Sequence, residues 1–179
     1  MRIRLLALLL VLAAVPVVAQ EMFWTDGHGG RAPDRDSRKS VNGLGGLLIA
    51  TSDDNWKEKW EAPSATVPQF TEAHTVVVGG RLRILTFIGN PGRDADGNAR
   101  VMCDFSMQKP DGSYSVQKQD VECLSGPLVG TAKTIYLSRV VLGFAADKDD
   151  PLGQWVVKMT IKDLVKPAVI PLETRFVVQ

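Results

Sequence analysis

The chain has little of what enzymes and metal centres are built from. Histidine occurs twice, as His28 and His74, and cysteine twice, as Cys103 and Cys123. Two histidines leave few groups able to exchange protons near neutrality. No His-Glu-x-x-His pair, Gly-x-Ser-x-Gly elbow or phosphate-cradling glycine loop ahead of a helix is present. These absences predict a chain that is not an enzyme, without catalytic residues, cofactor or metal. Carboxylate-only hydrolysis is the one enzymatic route left open, because acidic pairs that meet in space leave no mark in a sequence.

A surplus of either charge is missing too, since 21 Lys plus Arg stand against 20 Asp plus Glu. That balance gives no electrostatic reason to expect nucleic acid or an anionic membrane as partner. The cysteines lack a Cys-x-x-Cys spacing and an adjacent histidine, which argues against a redox or metal-binding thiol pair.

What is there begins with an address. Arg2 and Arg4 precede an apolar run from Leu5 to Ala19, with modest side chains at Val17-Val18-Ala19, the pattern of a signal peptide cleaved near Gln20. The run falls short of the ~20 apolar residues of a spanning helix, and no cysteine at the cleavage site is available for an acyl chain. Residues 1–19 are therefore expected to be a signal peptide, the location periplasmic or secreted, and the mature form not membrane-embedded. Residues 20–42, rich in Gly, Arg, Asp and Ser, read as a flexible leader. Residues 43–179 are expected to form one domain.

Strand-length segments then recur between turn signals: 44–51, 75–78, 82–88, 100–108, 115–123, 134–137 and 140–144. Ser52-Asp53-Asp54-Asn55 offers capping side chains ahead of a short helix at Trp56-Lys57-Glu58-Lys59-Trp60, stopped by Pro63 and Pro68. The last two strands are the clearest. Trp155, Val157, Met159 and Ile161 alternate with Val156, Lys158, Thr160 and Lys162, and Ile170, Leu172, Thr174, Phe176 and Val178 alternate with Glu173 and Arg175, so the two should close a hairpin. The pattern predicts an all-β antiparallel sandwich with one short helix.

An oxidising compartment lets Cys103 and Cys123 pair. Between them, Pro110-Asp111-Gly112 marks a tight turn that folds the chain back. Simple register around it sets Cys103 opposite Asp120, so a bulge, or a bridge from strand to loop, must absorb an offset of about three residues. Such a bridge closes a loop of about twenty residues and should contribute about 3 kcal/mol.

Asp150-Pro151-Leu152-Gly153-Gln154-Trp155 resembles the Asp-Pro-x-Gly-x-(Tyr or Trp) lead into the penultimate strand of immunoglobulin-like and macroglobulin-like β-sandwiches, and Pro110-Asp111-Gly112-Ser113 is similar to a mid-domain hairpin of the same group. The resemblance covers residues 75–179 and extends to secreted bacterial proteins carrying such a domain. It implies an immunoglobulin-like fold and no particular activity. The Cys103 to Cys123 spacing departs from the inter-sheet disulfide of antibody domains, which spans most of the domain.

Among candidate sites, Trp56 and Trp60 stand four apart and share one helical face, with Phe70 near. They form either an aromatic flap over the core or a stacking platform for a sugar or peptide. Asp94-Ala95-Asp96-Gly97-Asn98 partly matches the start of a calcium loop but lacks the closing glutamate, and reads as a polar connection. His28 with Asp26, Asp34 and Asp36 lies in a glycine-rich stretch too flexible to hold a metal. The sequence thus predicts a non-catalytic exported module that contacts a protein partner of the cell envelope. The alternative is a small-ligand or carbohydrate-binding module using Trp56 and Trp60, with an unrecognised hydrolase third.

Overall fold

The segments that read as unbroken apolar runs are strands covered on both faces. The computed structural model describes residues 23–26, 28–30, 32–63 and 68–179; the expected signal peptide, 1–19, lies outside the described residues. Strand β1 (Arg38–Val41) turns into β2 (Leu44–Thr51) through Asn42 and Gly43, whose φ values of 50° and 74° make the tight turn that favours this residue pair. β2 pairs antiparallel with β4 (Arg81–Gly89). On its other side β4 carries β7 (Ile135–Leu137) and β8 (Leu142–Ala145) in succession.

The second sheet runs in the order β3 (Thr75–Val76), β10 (Ala168–Val178), β9 (Gly153–Asp163), β5 (Asn98–Gln108) and β6 (Tyr114–Pro127). Its pairs are antiparallel except β3 with β10, which is parallel. The described residues are therefore all-β, with two five-stranded, largely antiparallel sheets and one short helix, α1 (Trp56–Glu61).

The inner faces share one core. Leu44, Leu48, Ile84 and Ile88 of the first sheet meet Val157, Ile161, Ile170 and Phe176 of the second, in the alternation expected of β9 and β10. The sheets approach so closely at Gly46 that an added Cβ would stand 3.0 Å from Ile161 Cδ1. Trp155 stacks on Phe176 at 6.3 Å and meets Phe144 edge-on at 4.8 Å. Its indole N–H donates to Pro151 O at 3.1 Å, so the Asp-Pro-x-Gly-x-Trp segment aims this ring into the core.

The outer faces differ. That of the second sheet is polar, with Lys158, Thr160 and Lys162 on β9 and Asp104 and Ser106 on β5. That of the first is apolar, and Ile49, Leu85 and Phe87 there form a second buried cluster. This is why β2 and β4 show no period-two signal.

The expected flexible leader, 20–42, needs correction where it is described. Residues 38–41 form β1, and Trp24 donates its indole N–H to Lys39 O at 3.0 Å and Gly46 O at 3.2 Å. Phe23 lies on Gly45 and Gly89, partners across β2 and β4 whose missing side chains leave a flat seat for the ring. The helix cap also differs. Asn55 occupies the cap position without a side-chain bond, and Asp53 instead accepts the Lys59 ammonium at 2.8 Å and the Thr71 N–H at 2.9 Å.

The cysteines pair, with Cα atoms 5.8 Å apart. One-residue slips fall at three places along β5 and β6, between Val101 and Met102, between Cys103 and Phe105, and between Met107 and Gln108; the last two, nearer the turn, absorb part of the offset, and the bridge spans the rest diagonally. Cys103 ends opposite Val121, and Cys123 sits in a bulge between Glu122 and Leu124.

Candidate functional site

Amphipathic spacing turns one face of α1 onto the outer surface of the first sheet. Trp56 and Trp60 are both half-buried there, against the cluster of Ile49, Leu85 and Phe87. Trp60 and Phe70 each stack obliquely on Phe87, at 5.5 and 5.6 Å. Asp53 fastens the helix to the Phe70 segment through Lys59 and Thr71. Burial opposes the charge on Asp53, but the hydrogen bonds from Lys59 and Thr71 outweigh it and hold the carboxyl at about 2.

A recess of about 200 Å³ opens beside the helix, walled by Trp24, Leu47, Ile49, Phe70, Phe87 and Ile135. Its tryptophan is Trp24, not the predicted pair, and it is smaller than the roughly 300–1,000 Å³ of sites for whole small ligands. Sequence reasoning missed Trp24 because it stands in a segment without periodicity.

The other candidates resolve locally. Asp94 Oδ1 accepts the N–H groups of Asp96 and Asn98 at 3.0 and 2.8 Å, and Gly97, at φ 80°, completes a tight turn. Asp26 Oδ1 accepts the backbone N–H of His28 and of Gly30. His74 is exposed before β3. Among the described residues, no three His, Cys, Asp or Glu side chains converge as metal ligands.

On the polar face, Lys162 donates to both Asp104 and Asp120 at 2.7 Å. The bond to Asp104, followed by that to Asp120, raises the lysine pKa. Burial works against the Asp104 charge, but Lys162 and the Asp120 N–H override it and lower its pKa. One ammonium between two carboxylates leaves this cluster with one negative charge on the outer face of the sheet. No helix among the described residues is long and apolar enough to cross a membrane.

Among the described residues one long strand also leaves an edge open. β6 closes the second sheet with β5 on one side only. Near Cys123 its other side is covered, because Arg139 donates its N–H to Cys123 O at 2.8 Å and its guanidinium to Glu122 Oε1, Ser125 Oγ and Ser125 O. Before that point, Tyr114 to Val121 makes no other backbone pairing among the described residues. A bulge at Ser115 and the left-handed Asp120, at φ 50°, bound the stretch, leaving Val116 to Lys118 as its regular part within an open edge that runs from Tyr114 to Gln119.

No family model and no curated protein matches the chain. Among solved structures it is similar to a family 123 glycoside hydrolase from Clostridium perfringens, with TM-score 0.43 and 8% identity over 76% of this chain and 27% of that one. It is also similar to the alkylpurine DNA glycosylase AlkC of Pseudomonas fluorescens bound to DNA containing an abasic site analog, with TM-score 0.35 and 13% identity over 59% of this chain and 27% of that one. The chain thus spans about a quarter of each, and likenesses of this size assign neither family nor activity.

Proposed function

We propose that this chain is a non-catalytic exported module with an immunoglobulin-like β-sandwich fold, which contacts a protein partner of the cell envelope through the open edge of β6. The fold reading is supported by strand order. β3-β10-β9-β5-β6 follows the order of the sheet that carries strands G, F, C and C′ in variable-type domains, and β4 pairing with β7 and β8 matches the opposite sheet. Export is supported by the residue 1–19 pattern and by the disulfide, which suits an oxidising compartment.

The observation that carries the function is the unpaired backbone of Tyr114 to Gln119. Such an edge accepts an extended segment of another chain by continuing the hydrogen-bond ladder. The carbohydrate alternative is less well supported, because Trp56 and Trp60 lean on Ile49, Leu85 and Phe87 and do not line the neighbouring recess. A photo-crosslinking side chain at Gln117, compared with the same group at Leu164, tests the reading in intact envelopes. Adducts from Gln117 alone are expected. Adducts from neither position, or equally from both, would dismiss it.

A further inference from the structure

Beside the open edge lies a cleft of about 390 Å³ between β6 and β8, the free edges of the two sheets. At one end the Arg139 N–H to Cys123 O bond ties the β7–β8 connection to β6; beyond it no hydrogen bond joins β6 to β8 among the described residues. The cleft reaches the main core. Met107, Phe144 and Trp155 line it and are buried core residues, while Val116 on β6 and Leu142 on β8 are half-buried.

Its chemistry is two-sided. The charged residues of the lining are Asp147 and Asp150, both acidic. Asp150 Oδ2 accepts the Asp147 N–H at 2.9 Å, which fixes the turn, and neither carboxylate has a cationic partner among the described residues. Counting Lys148 and Asp149, residues 147–150 carry three negative charges and one positive. An apolar recess that leads to the core, an acidic rim and an adjacent unpaired strand call for different parts of one ligand: an apolar side chain, a cation and an extended backbone.

We infer that this cleft seats an apolar side chain of an extended segment of a partner protein, with a lysine or arginine of the same segment on Asp147 and Asp150. The inference rests on the edge-docking function proposed above and adds the composition of the docking segment. Strand geometry permits it, since side chains two apart on a strand point the same way at ~6.6 Å spacing. An anchor and a cation on one face of the added strand can therefore reach cleft and rim together.

Selection of a phage-displayed linear peptide library on the mature, disulfide-intact protein tests this, with enriched peptides synthesised and measured by fluorescence polarisation. The enriched peptides should pair a large apolar residue with Lys or Arg. V116R, which places a charged chain in the apolar wall, should weaken them by at least about tenfold. D147K, on the exposed turn, should weaken them by about threefold at low salt and abolish most of their salt dependence. Circular dichroism shows whether each variant is folded, and D147K decides alone if V116R is not. Peptides that crosslink at Gln117 but ignore the folded variants overturn the inference and leave edge docking standing. No enrichment over an unrelated β-sheet protein overturns both, and enrichment of peptides copying this chain's own 114–119 segment replaces the foreign partner with a second copy.

Discussion

Asp163 Oδ2 accepts the Gly92 N–H at 2.6 Å, joining a turn after β4 to the end of β9 across 71 residues of sequence. The same carboxylate accepts Val165 and Lys166 N–H on Oδ1, both at 2.9 Å, and is buried. The turn is tight enough that a Cβ at Gly92 would stand 2.5 Å from Lys166 N.

Asp163→Asn should therefore destabilise the fold although it is nearly the same shape. The new amide can keep two acceptor bonds but then points a donor at the Gly92 donor. Leaving one buried group unsatisfied costs about 1–3 kcal/mol. Urea unfolding of the two proteins measures it, and an unchanged midpoint would show that the bond adds nothing.

Asp53 predicts a pH dependence. Its carboxyl is lowered from 3.8 to about 2 in the fold, so the folded state holds fewer protons there than the unfolded one. The stabilisation is complete above the ordinary value of 3.8 and is lost as pH falls through about 2. Asp53→Asn should be less stable than the parent at pH 6, with the difference closing between pH 4 and about pH 2. Thermal melts across that range check it; a gap that does not depend on pH would contradict it.

Thr86 is fully buried, and its hydroxyl finds no partner among the described residues. Thr86→Val keeps the branched shape and removes the stranded polar group. It should raise stability by about 1 kcal/mol. A lower unfolding midpoint would show that the hydroxyl is satisfied in solution.

Trp60 packs on Phe87 while half exposed. Trp60→Ala should cost about 2 kcal/mol, below the range for fully buried tryptophan. Peptides selected on β6 should bind the variant unchanged, because α1 covers the opposite sheet. Lost peptide binding with stability intact would revive a ligand role for the helix.

The local patterns of this chain were legible wherever one strand face met water. Trp155 to Lys162 alternates, and so does the strand that pairs with it. The two-sided strand β4 is still legible, because Gly79-Gly80 and Asn90-Pro91-Gly92 bracket residues 82–88. What escaped was set by distant pairs. The Phe23 seat depends on Gly45 and Gly89 lying side by side, and nothing near Phe23 announces them. β1 does carry a local signal, the Asn42-Gly43 hairpin dipeptide that turns it into β2. Trp56 and Trp60 were read on the correct helix, but the wall of the recess comes from Trp24, half-buried through its bonds to β1 and β2. Asp163 carries no local signal of its role, because one of its three backbone partners, Gly92, stands 71 residues away.

The disulfide takes on a mechanical meaning if force arrives through the edge. A pull on a strand docked along Tyr114 to Gln119 would peel β6 from β5, breaking the ladder rung by rung from the hairpin end. The Cys103–Cys123 cross-link lies beyond that stretch. Peeling would halt at a covalent bond, and the load would pass into β5 and the centre of its sheet.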